Sequence, residues 1–231
     1  THNHQVYTNL PPLGGFEKTL ALNLESDTAA TALNNAGYHT ALIGKYLNGY
    51  PLSSNQTYIP PGWDEWFVPI SNGAYGSYNY TVNDNGVLVA YGQTPADYVT
   101  DVLAAEALDF LERNSGQPSD PPFFLFLSFY APHSPANPAR RHIDLFPDAQ
   151  VPRTPGFNET DMGDKPVFMQ ANPSLTITET RQLDYQYRRR AQSLQAVDEA
   201  IEVLVQALQA NGQLEHTVIL FLADNGYHLG Q

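Results

Sequence analysis

Apolar residues in this chain follow two different periods. Three stretches are continuously apolar over strand length: His39–Lys45 (HTALIGK), Pro122–His133 (PFFLFLSFYAPH) and His216–Asn225 (HTVILFLADN). Unbroken runs of this kind suit strands covered on both faces, as in a parallel sheet. Between them the apolar positions recur at three and four. A helix is predicted over Asp27–Ala36, closed by Gly37. Thr94 is an N-cap with Pro95 in the first turn and Asp97 three residues after the cap; the face behind it is Val99, Leu103, Ala107, Phe110 and Leu111. A longer helix carries Leu194, Val197, Ile201, Leu204 and Leu208 and stops at Asn211-Gly212. Helices alternating with buried strands predict an α/β layer fold, with a mostly parallel central sheet flanked by helices.

Two long stretches break the pattern. Residues 47–93 are rich in Tyr, Asn, Gly and Pro, with a hairpin signal at Asn85-Gly86, and residues 131–175 are rich in Pro. Connections in compact α/β domains are short, so long ordered ones are read as functional loops or peripheral lids.

Composition narrows the function. With 231 residues, 42% of them hydrophobic, the chain can bury a core of its own. A net charge of -13 argues against nucleic acid, whose phosphates demand clustered Lys and Arg. The basic run Arg188-Arg189-Arg190 points its members in different directions on a helix, and is expected to be solvated or ion-paired. No run approaches the ~20 apolar residues of a membrane span. The absence of Cys excludes thiolate metal sites and Cys nucleophiles within these residues. The polar, turn-rich start, THNHQVYTNLPPLGG, reads as the middle of a protein and not as a signal peptide. Sequons at Asn55, Asn79 and Asn158 favour a glycoprotein of the secretory pathway, secreted or lysosomal/vacuolar.

The candidate chemistry sits at the strand tips. The first run ends in Gly44-Lys45, the second in Ala131-Pro132-His133-Ser134-Pro135, the third in Asp224-Asn225-Gly226. Open α/β sheets bind ligands beyond the carboxyl ends of their strands, which brings Lys45, His133, Asp224 and Asn225 to one rim. Singly, each has a plainer reading: a solvated lysine, a loop histidine, a turn. Together they are chemically consistent. Asp224 and Asn225 offer hard oxygen ligands for Ca²⁺ or Mg²⁺, and Lys45 and His133 can stabilise charge on an anionic ester. The set looks like half of a site for hydrolysing a phosphate or sulfate ester, since Ca²⁺ takes roughly 6–8 oxygens.

Longer stretches around these tips resemble the sulfatase family. AGYHTALIGKYLNGY is similar to its Gly-Tyr-x-Thr…Gly-Lys signature, PFFLFLSFYAPHSP to its Ala-Pro-His-Ser-Pro turn, and TVILFLADNGYHLGQ to its metal-binding segment. The Gly-Lys-Tyr-Leu-Asn variant, with GWDEWFVP, YNYTVNDNG, DYVTDVLAAEALDFL and RRRAQSLQAVDEAIEVLVQAL, resembles one branch of that family. The branch holds N-acetylglucosamine-6-sulfatases, extracellular heparan endosulfatases and fungal arylsulfatases. The resemblance implies an alkaline-phosphatase-like α/β sandwich of which residues 1–231 form the central part. It also implies hydrolysis of sulfate esters by a formylglycine nucleophile and Ca²⁺. On it, Asp224 and Asn225 match two Ca²⁺ ligands, Lys45 the lysine that contacts sulfate, and His133 a histidine at the sulfate end of the pocket. Leu47 stands where the commoner form has a histidine, and Asn48 is a candidate to take part of that role. His228 is a candidate contact to the sugar or aryl group.

The same resemblance places the nucleophile and an Asp-Asp pair before Thr1, and a second lysine after Gln231. Ala136-Asn137-Pro138-Ala139-Arg140 echoes part of the nucleophile motif but has no convertible thiol or hydroxyl. The chain by itself is therefore expected not to turn over sulfate esters. Two other readings remain open here: a phosphatase or phosphodiesterase of the same superfamily, and a non-catalytic glycan-binding glycoprotein that keeps the fold. A small aryl sulfate or a terminal sugar sulfate suits the acidic chain better than a polyanion.

Overall fold

The structure is a computed structural model that describes residues 3–70, 72–114, 120–226 and 229–230. Its centre is a five-stranded sheet in the order β4-β3-β2-β1-β5. The strands are β1 (His39–Gly44), β2 (Glu65–Pro69), β3 (Tyr80–Asp84), β4 (Val87–Tyr91) and β5 (Phe123–Ser128). β1 runs parallel to both β2 and β5, while β3 and β4 fold back antiparallel as the hairpin expected at Asn85-Gly86. Asn85 and Gly86 both have positive φ, 47° and 90°, the geometry of a type I′ turn that matches the twist of the paired strands.

Both faces of β1 and β2 are covered, which is why their side chains are apolar at successive positions. On one face Ala41, Ile43, Phe67 and Val82 pack against Val99, Leu103, Ala107, Phe110 and Leu111 of α3 (Val99–Arg113) and Leu208 of α5 (Ile177–Ala210). The apolar face predicted for α3 is buried throughout. On the opposite face Leu42, Trp66 and Val68 meet Phe16 of α1 (Gly15–Ala21) and Tyr50. The predicted helix before β1 is α2 (Ala29–Asn35), started by a Thr28–Thr31 capping box. α4 (Val167–Gln170) is a single turn in the Pro-rich stretch.

Three expectations are corrected. First, His216–Asn225 is not a strand: after a short 3-10 turn, residues 217–223 pair with no other strand among the described residues. A strand needs a ladder partner for its backbone groups, and composition alone does not supply one. Val218, Leu220, Phe221 and Leu222 are accordingly 74–86% exposed. Second, α5 begins at Ile177, well before the apolar stripe, at a capping box made by Thr176 and Glu179. Leu194, predicted to face the core, is exposed, and the buried face runs through Gln192, Ser193, Ala196, Val197 and Ala200. Third, β2 lies in what reads as a loop. Its short EWFVP run shows only when β1 and β3 flank it.

Candidate active site

β1 and β5 end side by side, with Gly44 opposite Ser128. At that point the chains are so close that a Cβ on Gly44 would sit 2.0 Å from the Ser128 carbonyl oxygen, and Gly44 has φ +114°. Glycine is required here on both counts. The next amide, Lys45 N–H, donates to the same carbonyl at 2.8 Å, so the Lys45 backbone is registered to the tip of β5. The Lys45 Nζ folds back to donate to the Tyr46 carbonyl. Burial lowers the Lys45 pKa to about 8, and the nearby Asp224 carboxylate acts in the opposite direction. That interaction places two of the predicted site residues in each other's field.

An aromatic bed supports this turn. The Tyr46 ring meets Trp66 at 5.0 Å, Tyr50 at 5.3 Å and Phe16 at 6.2 Å, all edge to face. Beneath it lies Glu25, only 3% exposed, whose two carboxylate oxygens accept from Tyr46 Oη (2.7 Å) and Tyr58 Oη (2.8 Å). Burial first, and Glu25 next, push the Tyr46 hydroxyl well above the ordinary tyrosine range and the Tyr58 hydroxyl up to about 12. Both phenols therefore stay protonated donors to the carboxylate. Asn48 contributes its carbonyl, which accepts from Phe16 N–H at 2.7 Å, and its side chain is half-buried.

His133 follows β5 and is exposed. Its Nδ1 lies 2.7 Å from the Ser134 carbonyl oxygen, and its ring packs on Tyr75 at 4.7 Å between centroids. A carbonyl can only accept, so Nδ1 carries the proton and Nε2 is left for another partner. Tyr75 in turn packs edge-on against the buried Tyr130 at 4.9 Å.

Asp224 and Asn225 are exposed, and His228 lies outside the described residues. Their oxygens are of the kind a hard cation takes, and Asp224 is close enough to Lys45 to act on it. Among the described residues no group of three or more His, Cys, Asp or Glu gathers that could hold a metal ion. The donor chemistry fits Ca²⁺; the ligand count within these residues is partial.

The sequons differ in their freedom. Asn55 and Asn79 are exposed. Asn158 is engaged on both sides of its amide: Nδ2 donates to the Leu175 carbonyl at 3.2 Å and Oδ1 accepts from Leu175 N–H at 2.6 Å. The three consecutive arginines of α5 are not simply solvated. Arg188 donates to the Ala149 carbonyl, Arg189 to Asn137 Oδ1 and Arg190 to Ser134 Oγ, so all three reach the stretch that follows β5. Glu25, Tyr75 and Asn137 carried no short-range signal. The density of tyrosines in residues 46–58 was the one hint of the aromatic bed.

Comparison with known proteins identifies the family and the fold. The family model described as Sulfatase matches residues 1–231. A Sulf-1-type extracellular sulfatase homolog of Caenorhabditis elegans is 37% identical over 231 residues, 100% of this chain and 32% of that protein. The N-acetylglucosamine-6-sulfatase of Capra hircus is 37% identical over 234 residues, 100% of this chain and 41% of that protein. The chain thus spans about a third of the length of the curated relatives it matches. A solved structure described as a complex with its substrate D-glucosamine-2-N,6-O-disulfate superposes with a TM-score of 0.60 at 19% identity, over 80% of this chain and 47% of that one. The fold is the α/β arrangement of the alkaline-phosphatase-like enzymes, and the chain belongs to the sulfatase family.

Proposed function

We propose that the protein containing this chain hydrolyses a sulfate ester, either an aryl sulfate or a terminal sugar sulfate. The observation that carries this reading is that the chain belongs to the sulfatase family and bears its half-buried Lys45 at the rim where β1 and β5 end. Sugar sulfates are favoured by one relative's name, N-acetylglucosamine-6-sulfatase, and by the sulfated glucosamine bound in a structural neighbour. The net charge of -13 disfavours a long polyanion.

Each residue has a definable part. Lys45 keeps its ammonium charge at neutral pH, and one N–H held by the Tyr46 carbonyl leaves the others for a sulfate oxygen. Asp224 favours that charged form. His133 donates from Nε2 to the ester oxygen only as the imidazolium, because Nδ1–H is committed to Ser134. Asp224 and Asn225 would hold part of a Ca²⁺ site, and the ion would supply positive charge for the sulfate. By resemblance to the family, Asn48 takes part of the role of the histidine that Leu47 replaces, and His228 is a contact to the sugar or aryl group. The nucleophile, a formylglycine, is supplied by residues outside 1–231, so the chain alone is inactive. Asn55 and Asn79 accept glycans in the secretory pathway, and Asn158 is left unmodified.

The test compares residues 1–231 with a protein extended at both ends, on the sulfate and phosphate esters of one phenol with added Ca²⁺. The extended protein should cleave the sulfate ester preferentially and the short chain neither. Turnover by the short chain, or a preference for phosphate, overturns the reading.

A further inference from the structure

Asn137 is bonded from three directions. Its side-chain Nδ2 donates to the Gly76 carbonyl at 3.0 Å, and its Oδ1 accepts from Arg189 Nη2 at 2.6 Å. Its main-chain carbonyl accepts from Tyr98 Oη at 2.9 Å and Ser77 Oγ at 3.3 Å. These partners come from the 3-10 turn Asn72–Gly76 and the residue after it, from the N-cap of α3 and from α5. Ala136, just before it, is 5% exposed and holds φ +54°, a left-handed conformation that a residue with a Cβ adopts only when its surroundings impose it. Ala139, just after it, is buried against Tyr98 and Ala196.

His133 is tied to the same construction. Its N–H donates to the Tyr130 carbonyl and its own carbonyl accepts from Ala136 N–H, both at 2.8 Å. Its ring rests on Tyr75, which belongs to the turn whose Gly76 carbonyl Asn137 grips. One bond, Asn137 Nδ2 to Gly76, therefore joins the loop that carries the imidazole to the turn that carries its platform.

We propose that Asn137, held by Arg189, is a positioning residue for His133: it fixes the imidazole on Tyr75 with Nε2 facing the ester. This rests on the sulfatase reading for its catalytic consequence but not for its geometry. Neither residue touches the substrate. Loss of either should displace the ring without changing its chemistry, and ångström-scale misplacement of an acid is costly to rate.

The experiment uses the full-length protein, with His133→Ala as the benchmark for loss of the ring. Asn137→Ala should lower kcat on an aryl sulfate about tenfold with KM nearly unchanged, and Arg189→Ala about threefold. The double variant should be no slower than Asn137→Ala, since Arg189 acts through it, and Arg189→Lys should recover part of the loss. Hydrogen exchange read by mass spectrometry should quicken about tenfold at the amides of residues 131–137 in Asn137→Ala, with little change elsewhere. A lowered Tm with kcat unchanged per folded molecule would show a merely structural bond and overturn the proposal. Additive losses in the double variant would do the same. If the unmodified protein cleaves no sulfate ester, the sulfatase reading fails; exchange then decides positioning, and unchanged protection at 131–137 overturns it. Arg189→Ala, which removes one outer bond, supplies the same readouts if Asn137→Ala does not fold.

Discussion

Of the three strand-length apolar runs that end in polar tips, β1 and β5 are built into the sheet and the third is not, and the contrast is sharpest between β1 and that third run. His39–Gly44 has parallel partners on both sides, apolar cover on both faces, and a tip whose lysine is registered to the neighbouring strand. Residues 218–222 have the same composition but no ladder, and their side chains stand in solvent with Asp224 and Asn225 beyond them. The apolar pattern is a demand for burial, and the sheet answers it only where backbone partners exist. The Lys45 tip is thus held by packing and strand register, whereas Asp224 and Asn225 are exposed.

The same truncation in both runs breaks or sharpens this contrast most. Leu42→Ala, in a fully packed position, should destabilise by about 2–5 kcal/mol in urea or thermal denaturation. Leu220→Ala, 78% exposed, should stay within about 0.5 kcal/mol. A cost near that of Leu42→Ala would show that the second run is buried in the folded molecule. Next in size, Lys45→Ala in the full-length protein should lower kcat by about 10²–10³, the usual range for removing a preorganised donor to developing charge. Asp224→Asn should weaken dependence on Ca²⁺ as well, which Lys45→Ala should not. Equal effects of both on the Ca²⁺ titration would erase the distinction between the two tips.

Smaller effects probe the bed under Lys45. Tyr46→Phe removes one of two donors to the buried Glu25 and should cost about 1.5–3 kcal/mol of stability, the range for hydrogen bonds to charged groups. Smallest is a difference in reactivity. The Lys45 amine, lowered to about 8 by burial, should become acylated with a midpoint near that pH, followed by peptide mass spectrometry. Lys165, held above the usual lysine range by Glu159 and Asp164, should react only at higher pH. The lowered pKa also has a sign for stability. The unfolded lysine binds its proton up to 10.5, so between about 8 and 10.5 the folded state gains on the unfolded one as pH rises.

Much of the frame was legible because it is written in short-range pattern. β1, β5, α3 and the Asn85-Gly86 hairpin follow from period and turn chemistry within a few residues. β2 was not legible: Glu65–Pro69 is too brief to show a period, and the neighbours that make it a strand lie far off in sequence. The false strand at 216–225 failed for the complementary reason, a strong local pattern without a partner. Lys45 and His133 could be read as following buried strands, as they do, whereas Asp224 follows a run that forms no strand. Glu25, Tyr75 and Asn137 could not, because each acts through a distant contact, as Asn137 does with Arg189 across 52 positions. Local sequence records what a segment needs, and its neighbours determine whether the need is met.

The aromatic bed has one more consequence, an optical one. Both tryptophans of the chain lie in or against it: Trp66 donates its indole N–H to Tyr50 Oη at 2.8 Å, and Trp63 stacks on Phe124 at 5.8 Å. Tryptophan emission from this chain, excited at a wavelength tyrosine does not absorb, is therefore a local signal, reporting the floor beneath the lysine turn. Solvent entering that floor should redden it, whereas rearrangement of the exposed run at 218–222 should pass almost without colour change. The protein carries its own lamp on the side of the site that packing has already fixed.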